Sequence, residues 1–185
     1  MTIDSVDNKK IKNIRKLNQK KYRDETNEFL VEGIHLVKEA YKEGLLKEVV
    51  LEENEEIDFK VDTTYVTYNV IKSISSLDTP YKIIGVCKKK EEKEINGNVL
   101  ILDGLQDPGN LGTIIRSAVA FNVDTIILSK DTVDLYNPKV VRSTQGMNFH
   151  INIIRRDLEH EINSLKEYCI FHRCNKWKKH KKCKS

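Results

Sequence analysis

Asn110 and Arg116 stand in Asp107-Pro108-Gly109-Asn110-Leu111-Gly112-Thr113-Ile114-Ile115-Arg116, a glycine-bearing stretch that follows the apolar run Val99-Leu100-Ile101-Leu102. A guanidinium pairs bidentately with phosphate, and a helix N-terminus beside it presents unpaired backbone N–H groups, so the combination suits an anionic ligand. Gly109 and Gly112 permit positive φ and close approach, and Asn110 offers a side-chain oxygen to cap the helix that follows. Along that helix, predicted over 113–121, Ile114, Ile115, Ala118 and Val119 form the apolar side, while Thr113, Arg116, Ser117 and Ala120 form a face of small groups around one guanidinium. Glycines at 104, 109 and 112 do not match the dinucleotide fingerprint, and no lysine follows as a P-loop requires. A capped helix carrying a surface arginine satisfies the same pattern, so the residues alone leave both readings open.

The elements that must hold this turn are legible in the pattern. Strand 99–103, helix 113–121 and a strand from Thr125 to Ser129 make a right-handed βαβ unit and imply a parallel sheet, whose ligands sit beyond the carboxyl ends of the strands. Asp134 to Gln145 contains a turn at Asn137-Pro138 and a short helix, Phe149 to Ile154 reads as a further strand, and Asp157 caps a helix bearing Leu158, Ile162 and Leu165. Upstream, Phe29-Leu30-Val31, Val49-Val50-Leu51, Thr63 to Thr67 and Ile83 to Cys87 read as strands. Helices fall at Ile34 to Tyr41, ending at Gly44, and at Val70 to Leu77. The fold class is therefore α/β, in two parts. A small domain occupies 24–87, residues 88–98 are a polar linker of mixed charge, and a parallel-sheet domain occupies 99–166.

Composition bounds the partners. The 185 residues are 39% hydrophobic and 32% charged, with a net charge of +4, as expected of a water-soluble globular chain. Residues 9–23 hold eight Lys or Arg and no acid, residues 173–185 hold seven and no acid, and the stretch between is acidic. Ile11, Ile14 and Leu17 give 1–23 a thin apolar stripe, so it reads as a weakly packed basic arm. Its Arg15, Lys20, Lys21 and Arg23 are candidates to neutralise phosphates, although a solvated lysine-rich helix has the same composition. No secretory signal or membrane-length apolar run is present, which predicts a cytoplasmic protein with reduced cysteines and no membrane partner. Cys169, His172, Cys174, His180 and Cys183 crowd the end of the chain in a spacing that fits no zinc pattern, so no metal is assigned.

The wording of the central segment is more specific than its pattern. Leu102 to Ala118 closely resembles the first motif of the SpoU-type (SPOUT) RNA 2′-O-ribose methyltransferases, whose core Asn-x-Gly-x-x-x-Arg-x-Ala is met by Asn110, Gly112, Arg116 and Ala118. The likeness continues through Asp134-Leu135-Tyr136-Asn137-Pro138-Lys139-Val140-Val141-Arg142-Ser143-Thr144-Gln145-Gly146. Phe29-Leu30-Val31-Glu32-Gly33 and the helix after it resemble the L30e-like substrate-binding domain that precedes many of these catalytic domains. The resemblance covers about residues 10–166.

It implies an α/β-knot-type enzyme that moves a methyl group from S-adenosylmethionine to a ribose 2′-hydroxyl of structured ribosomal or transfer RNA, without a metal and as a homodimer. Asn110 and Arg116 then fall at catalytic positions. Lys139 and Arg142 become RNA contacts, as do Glu32 and His35 in the substrate domain, for which a structural hydrogen bond is the competing role. The family's Gly-x-Glu-x-x-Gly and Ile-Pro-Met…Ser-Leu-Asn motifs, which bind the cofactor and form the knot, do not occur here. The cofactor-binding residues thus stay unassigned and the methyltransferase domain reads as incomplete. Residues 167–185 read as a disordered basic tail left by a truncation or frameshift. An inactive RNA-binding remnant is the alternative function.

Overall fold

The computed structural model describes residues 2–164, so the expectations for the basic tail and its cysteines and histidines lie outside the described residues. The first half runs α1 (Lys9–Lys16), α2 (Lys20–Thr26), β1 (Glu28–Glu32), α3 (Ile34–Lys42), β2 (Leu46–Glu52), β3 (Asp62–Val66), α4 (Tyr68–Ile74) and β4 (Ile83–Lys88). Its four strands form one sheet in the order β1-β4-β2-β3, in which only β2 and β3 are parallel. One face packs α1 and α4, and the other packs α3.

The basic arm is not weakly packed. Asn8 caps α1 by accepting from the Lys10 amide at 2.9 Å, and Ile11, Ile14 and Leu17 are 0%, 5% and 3% exposed against Val70, Ile71 and Ile74 of α4. An apolar residue every third position is enough when a second helix stands ready to cover the stripe. The lysines between these positions face solvent, so the arm belongs to the first domain.

The second half runs β5 (Val99–Leu102), α5 (Pro108–Ala120), β6 (Thr125–Leu128), α6 (Pro138–Thr144), a 3-10 turn at Met147–Phe149, β7 (Asn152–Arg155) and α7 (Leu158–Ser164). Strands β5, β6 and β7 are parallel and in register, with Leu102, Leu128 and Arg155 aligned at their carboxyl ends. Phe149 and Ile151, expected within the last strand, precede it.

Helix α5 begins at Pro108, well before the predicted start at 113. Proline at the first helical position lacks only an N–H that would have no intrahelical partner there. Asp107, not Asn110, is the cap, and its Oδ1 accepts from the Asn110 amide at 2.7 Å. Gly109 and Gly112 are therefore helical and neither has positive φ; that conformation falls to Gly104, at φ +61°. Gly112 has a different use. A β-carbon there would collide with the Ser143 side chain and come within 2.7 Å of its carbonyl carbon, so the missing side chain lets α5 and α6 touch.

The halves share a core. Phe29 of β1 is fully buried with its ring centroid 4.7 Å from Tyr136 and 6.1 Å from Phe149, and Val141 joins the same cluster. The linker is held as well. Lys90 Nζ donates to the Phe149 and Ile151 carbonyls at 2.7 and 3.2 Å. Asn152 Oδ1 accepts from the Lys93 amide at 3.0 Å, and Glu92 pairs with Arg156 at 2.6 Å. Among the described residues, no helix is long and apolar enough to cross a membrane.

Candidate active site

Two loops leave the carboxyl ends of β5 and β6 and are tied to each other. Ser129 Oγ accepts from the Gly104 amide at 2.9 Å and lies 3.0 Å from Thr132 Oγ1, which donates to the Leu102 carbonyl at 3.2 Å. The Val133 amide reaches the Leu105 carbonyl at 2.8 Å, and Gln106 donates to the Asp131 carbonyl. Arg155, at the aligned end of β7, fixes the second loop from below. Its Nη1 donates to the carbonyls of Ser129, Lys130 and Thr132 at 2.6, 3.0 and 2.7 Å, and its Nη2 to Val133 at 2.9 Å. Sequence reasoning missed Arg155. The signal was a cation in the last position of an apolar parallel strand, at its ligand-binding end, followed directly by Arg156.

Above this braced edge, α5 exposes Asn110, Thr113 and Arg116, spaced at three-residue intervals that make them surface neighbours. Leu111, Gly112, Ile115 and Ala118 face inward. No hydrogen bond or ion pair holds the Arg116 guanidinium among the described residues. A charged, unengaged fork and a free carboxamide thus stand on a rigid helix beside the loops, available to an incoming anion or hydroxyl. Gly104 adds room, since a β-carbon there would point into open space.

The RNA-contact candidates separate into two groups. Arg23 is 2% exposed and donates to the Leu17 carbonyl at 2.8 Å and to Asp134 at 2.5 Å, a buried bridge from α2 to the second half. Glu32 is buried too. It accepts from the Ser75 hydroxyl, from the Ser76 amide at 3.1 Å and hydroxyl at 2.6 Å, and from Arg142 Nη1 at 3.3 Å. These two groups have no open face, so the geometry gives them an interface role in place of RNA contact. His35, though exposed, lies 3.2 Å from the Gln145 carbonyl across the same seam.

The others are open. Arg142, whose Nη1 also donates to Ser76 Oγ at 2.6 Å, lines with Lys139, Asn137, Asn18, Ser75 and Ser76 a polar cleft of about 420 Å³ at the seam. Arg15, Lys20 and Lys21 lie on the solvent face of α1 and α2. Of these, Lys20 pairs with Asp24 at 2.5 Å, and Lys21 lies 5.8 Å from the Tyr22 ring centroid. Arg15 lines a basic hollow with Lys9, Lys12, Lys16 and Tyr22.

Burial and hydrogen bonding set the titration behaviour of the seam. The Tyr136 phenol, which accepts from the Lys90 amide at 3.1 Å, is pushed up to about 12 by desolvation. Desolvation moves the Lys90 ammonium down. Glu39 is held below its ordinary range by hydrogen bonds from Lys42 and then from His150, which meets it at 3.0 Å from the other half. Among the described residues, no group of three His, Cys, Asp or Glu is placed to hold a metal ion.

Both halves of the chain resemble known proteins. Residues 8–85 match the MRM3-like substrate binding domain, and residues 97–183 match the SpoU rRNA Methylase family. The chain is 41% identical over 170 residues to the 23S rRNA (guanosine(2553)-2'-O)-methyltransferase RlmP of Bacillus subtilis, covering 89% of this chain and 68% of that one. It is 32% identical over 151 residues to the mitochondrial rRNA methyltransferase 3 of Homo sapiens, covering 72% of this chain and 36% of that one. Among solved structures, an rRNA methyltransferase from Sinorhizobium meliloti superposes with a TM-score of 0.78 at 33% identity, over 90% of this chain and 69% of that one. The AdoMet-bound form superposes with a TM-score of 0.76 at 32% identity, over 90% and 68%.

Proposed function

We propose a role for each face of this fold from one premise: the chain belongs to the SpoU rRNA methylase family. By family it is an S-adenosylmethionine-dependent RNA 2′-O-ribose methyltransferase, and its parallel-sheet fold is that of the SPOUT enzymes. The observation that carries the residue-level reading is the pair Asn110 and Arg116, exposed on α5 and unengaged, at the braced carboxyl edge of the sheet.

The substrate in this reading is ribosomal RNA, supported by the names of the relatives. S-adenosylmethionine, when bound, supplies an electrophilic methyl group. The loops at 103–107 and 129–133 fit one wall of its site, because they lie at the ligand-binding edge, leave open space beside Gly104 and are kept rigid by Ser129, Thr132 and Arg155. A ribose hydroxyl is a weak nucleophile and must be aligned before it reacts. A guanidinium is a fixed charge, so Arg116 acts as an electrostatic clamp on the target's phosphate or developing oxyanion, not as the base. Asn110 orients the hydroxyl through its carboxamide. Both groups face solvent, which takes the released proton.

The α1–α2 face, with Arg15 and Lys21, meets RNA backbone away from the reacting ribose, as do Lys139 and the free nitrogens of Arg142. A cytoplasmic, homodimeric enzyme completes the proposal; the Bacillus relative supports the compartment. Isothermal titration tests it. The full chain should bind S-adenosylmethionine with one site per chain and bind ribosomal RNA with steep salt dependence. RNA binding with no cofactor affinity would replace the enzyme with the remnant.

A further inference from the structure

Large aromatic side chains that stay exposed in a folded protein call for a reason, and Tyr81, 52% exposed, has a particular setting. Its ring rests on the backbone at Gly33. Tyr81 Cγ and Cδ2 lie 3.4 Å from where a β-carbon of Gly33 would stand. Gly33 has φ +96°, a conformation that side chains rarely adopt, and it opens α3. The glycine therefore serves the turn and seats the ring. One part of the ring is pinned on the backbone and the rest is open, so a ligand that stacks on it has little side-chain freedom to remove.

The surroundings say what kind of ligand. Glu32, next to Gly33, is bound to Arg142 and Ser76, and His35 on the other side reaches the Gln145 carbonyl, so the ring sits on the seam between the substrate domain and the helix that touches α5. Only Nη1 of Arg142 is engaged among the described residues, and Lys139 stands one turn away on α6 with its side chain exposed. A held aromatic ring on a seam that also carries two cations matches single-stranded RNA, which is recognised by stacking of splayed bases together with contacts to phosphates. The other exposed tyrosines lack the combination; Tyr41, for example, is covered by Phe59 with ring centroids 4.6 Å apart.

We infer that Tyr81 is a stacking platform for an unpaired nucleobase of the substrate RNA, with Lys139 and Arg142 meeting the adjoining phosphates. The inference rests on the RNA-methylation reading and adds a specificity determinant outside the methyl-transfer residues: it makes the protein select unpaired RNA over duplex. Two probes test it with the full chain. One is a short RNA stem-loop carrying 2-aminopurine in its loop, and the other is the same stem closed as a duplex.

The wild-type protein should prefer the stem-loop and change the loop fluorescence. Tyr81→Ala and Tyr81→Leu should each weaken stem-loop binding about 5- to 100-fold, abolish the fluorescence change and leave duplex binding as it was, while Tyr81→Phe retains both. The leucine variant keeps apolar volume on Gly33. Wild-type affinity in that variant would show that Tyr81 only packs, and would overturn the inference, as would equal binding by all four proteins. A wild-type chain that binds neither probe would overturn the RNA reading together with the inference.

Discussion

A guanidinium stays protonated throughout the pH range in which a protein folds, so Arg116 and Arg155 differ only in what surrounds them. Arg155 donates to four backbone carbonyls, whereas Arg116 has no partner among the described residues. The consequences of substitution should therefore be opposite in kind. Arg155→Lys cannot reproduce the fork and should cost about 1–3 kcal/mol of stability, read by urea titration, together with affinity for S-adenosylmethionine. Arg116→Lys should unfold at the wild-type urea concentration and lose only methyl transfer. Tyr136 gives a pH signature. Its folded value of about 12 lies above the ordinary 10.0, so the neutral phenol contributes stability that is complete below pH 10 and disappears as pH rises through the folded value. The stability difference between the wild type and Tyr136→Phe should shrink over that window in pH-dependent chemical denaturation. A constant difference would contradict the burial argument.

At the level of elements, the pairing of α5 with α6 depends on Gly112, the position where a β-carbon would strike Ser143. Gly112→Ala should separate the helices and destabilise the protein by about 1–3 kcal/mol, even though alanine is the better helix former, and Gly109→Ala, which would meet only the Asp107 carboxylate at 3.2 Å, should be milder. Thermal denaturation of the two variants would rank them. Strand and helix patterns placed nearly every element, because an apolar period is local information. The start of α5 was misplaced because glycines at 109 and 112 suggested a loop, while the stronger signal was Asp107-Pro108, a cap followed by a proline at the first helical position. The seam was not legible at all. Glu32 with Arg142, and Arg23 with Asp134, join residues about 110 positions apart, and nothing in the composition of either segment announces the partner.

For the whole molecule, the polar stretch 88–98 reads as a linker between two domains, and Phe29, Tyr136, Val141 and Phe149 make one core across them. Two sheets that share a core should melt together, so calorimetry of the chain should show one cooperative transition. Removing one partner of the buried Arg23–Asp134 pair, as in Asp134→Ala, should lower that transition by the equivalent of about 3–5 kcal/mol. The rigid seam gives the fold its functional meaning, since it holds the basic surface of α1, α2 and α6, proposed above to meet RNA, in fixed relation to Asn110 and Arg116. Methyl transfer from radiolabelled S-adenosylmethionine to ribosomal RNA, followed by mapping of the modified ribose, tests that account most directly. The wild-type chain should label a single 2′-hydroxyl, and Arg116→Ala should bind the RNA yet label none. Equal labelling by the two proteins, or none by the wild type while it binds both cofactor and RNA, would contradict it.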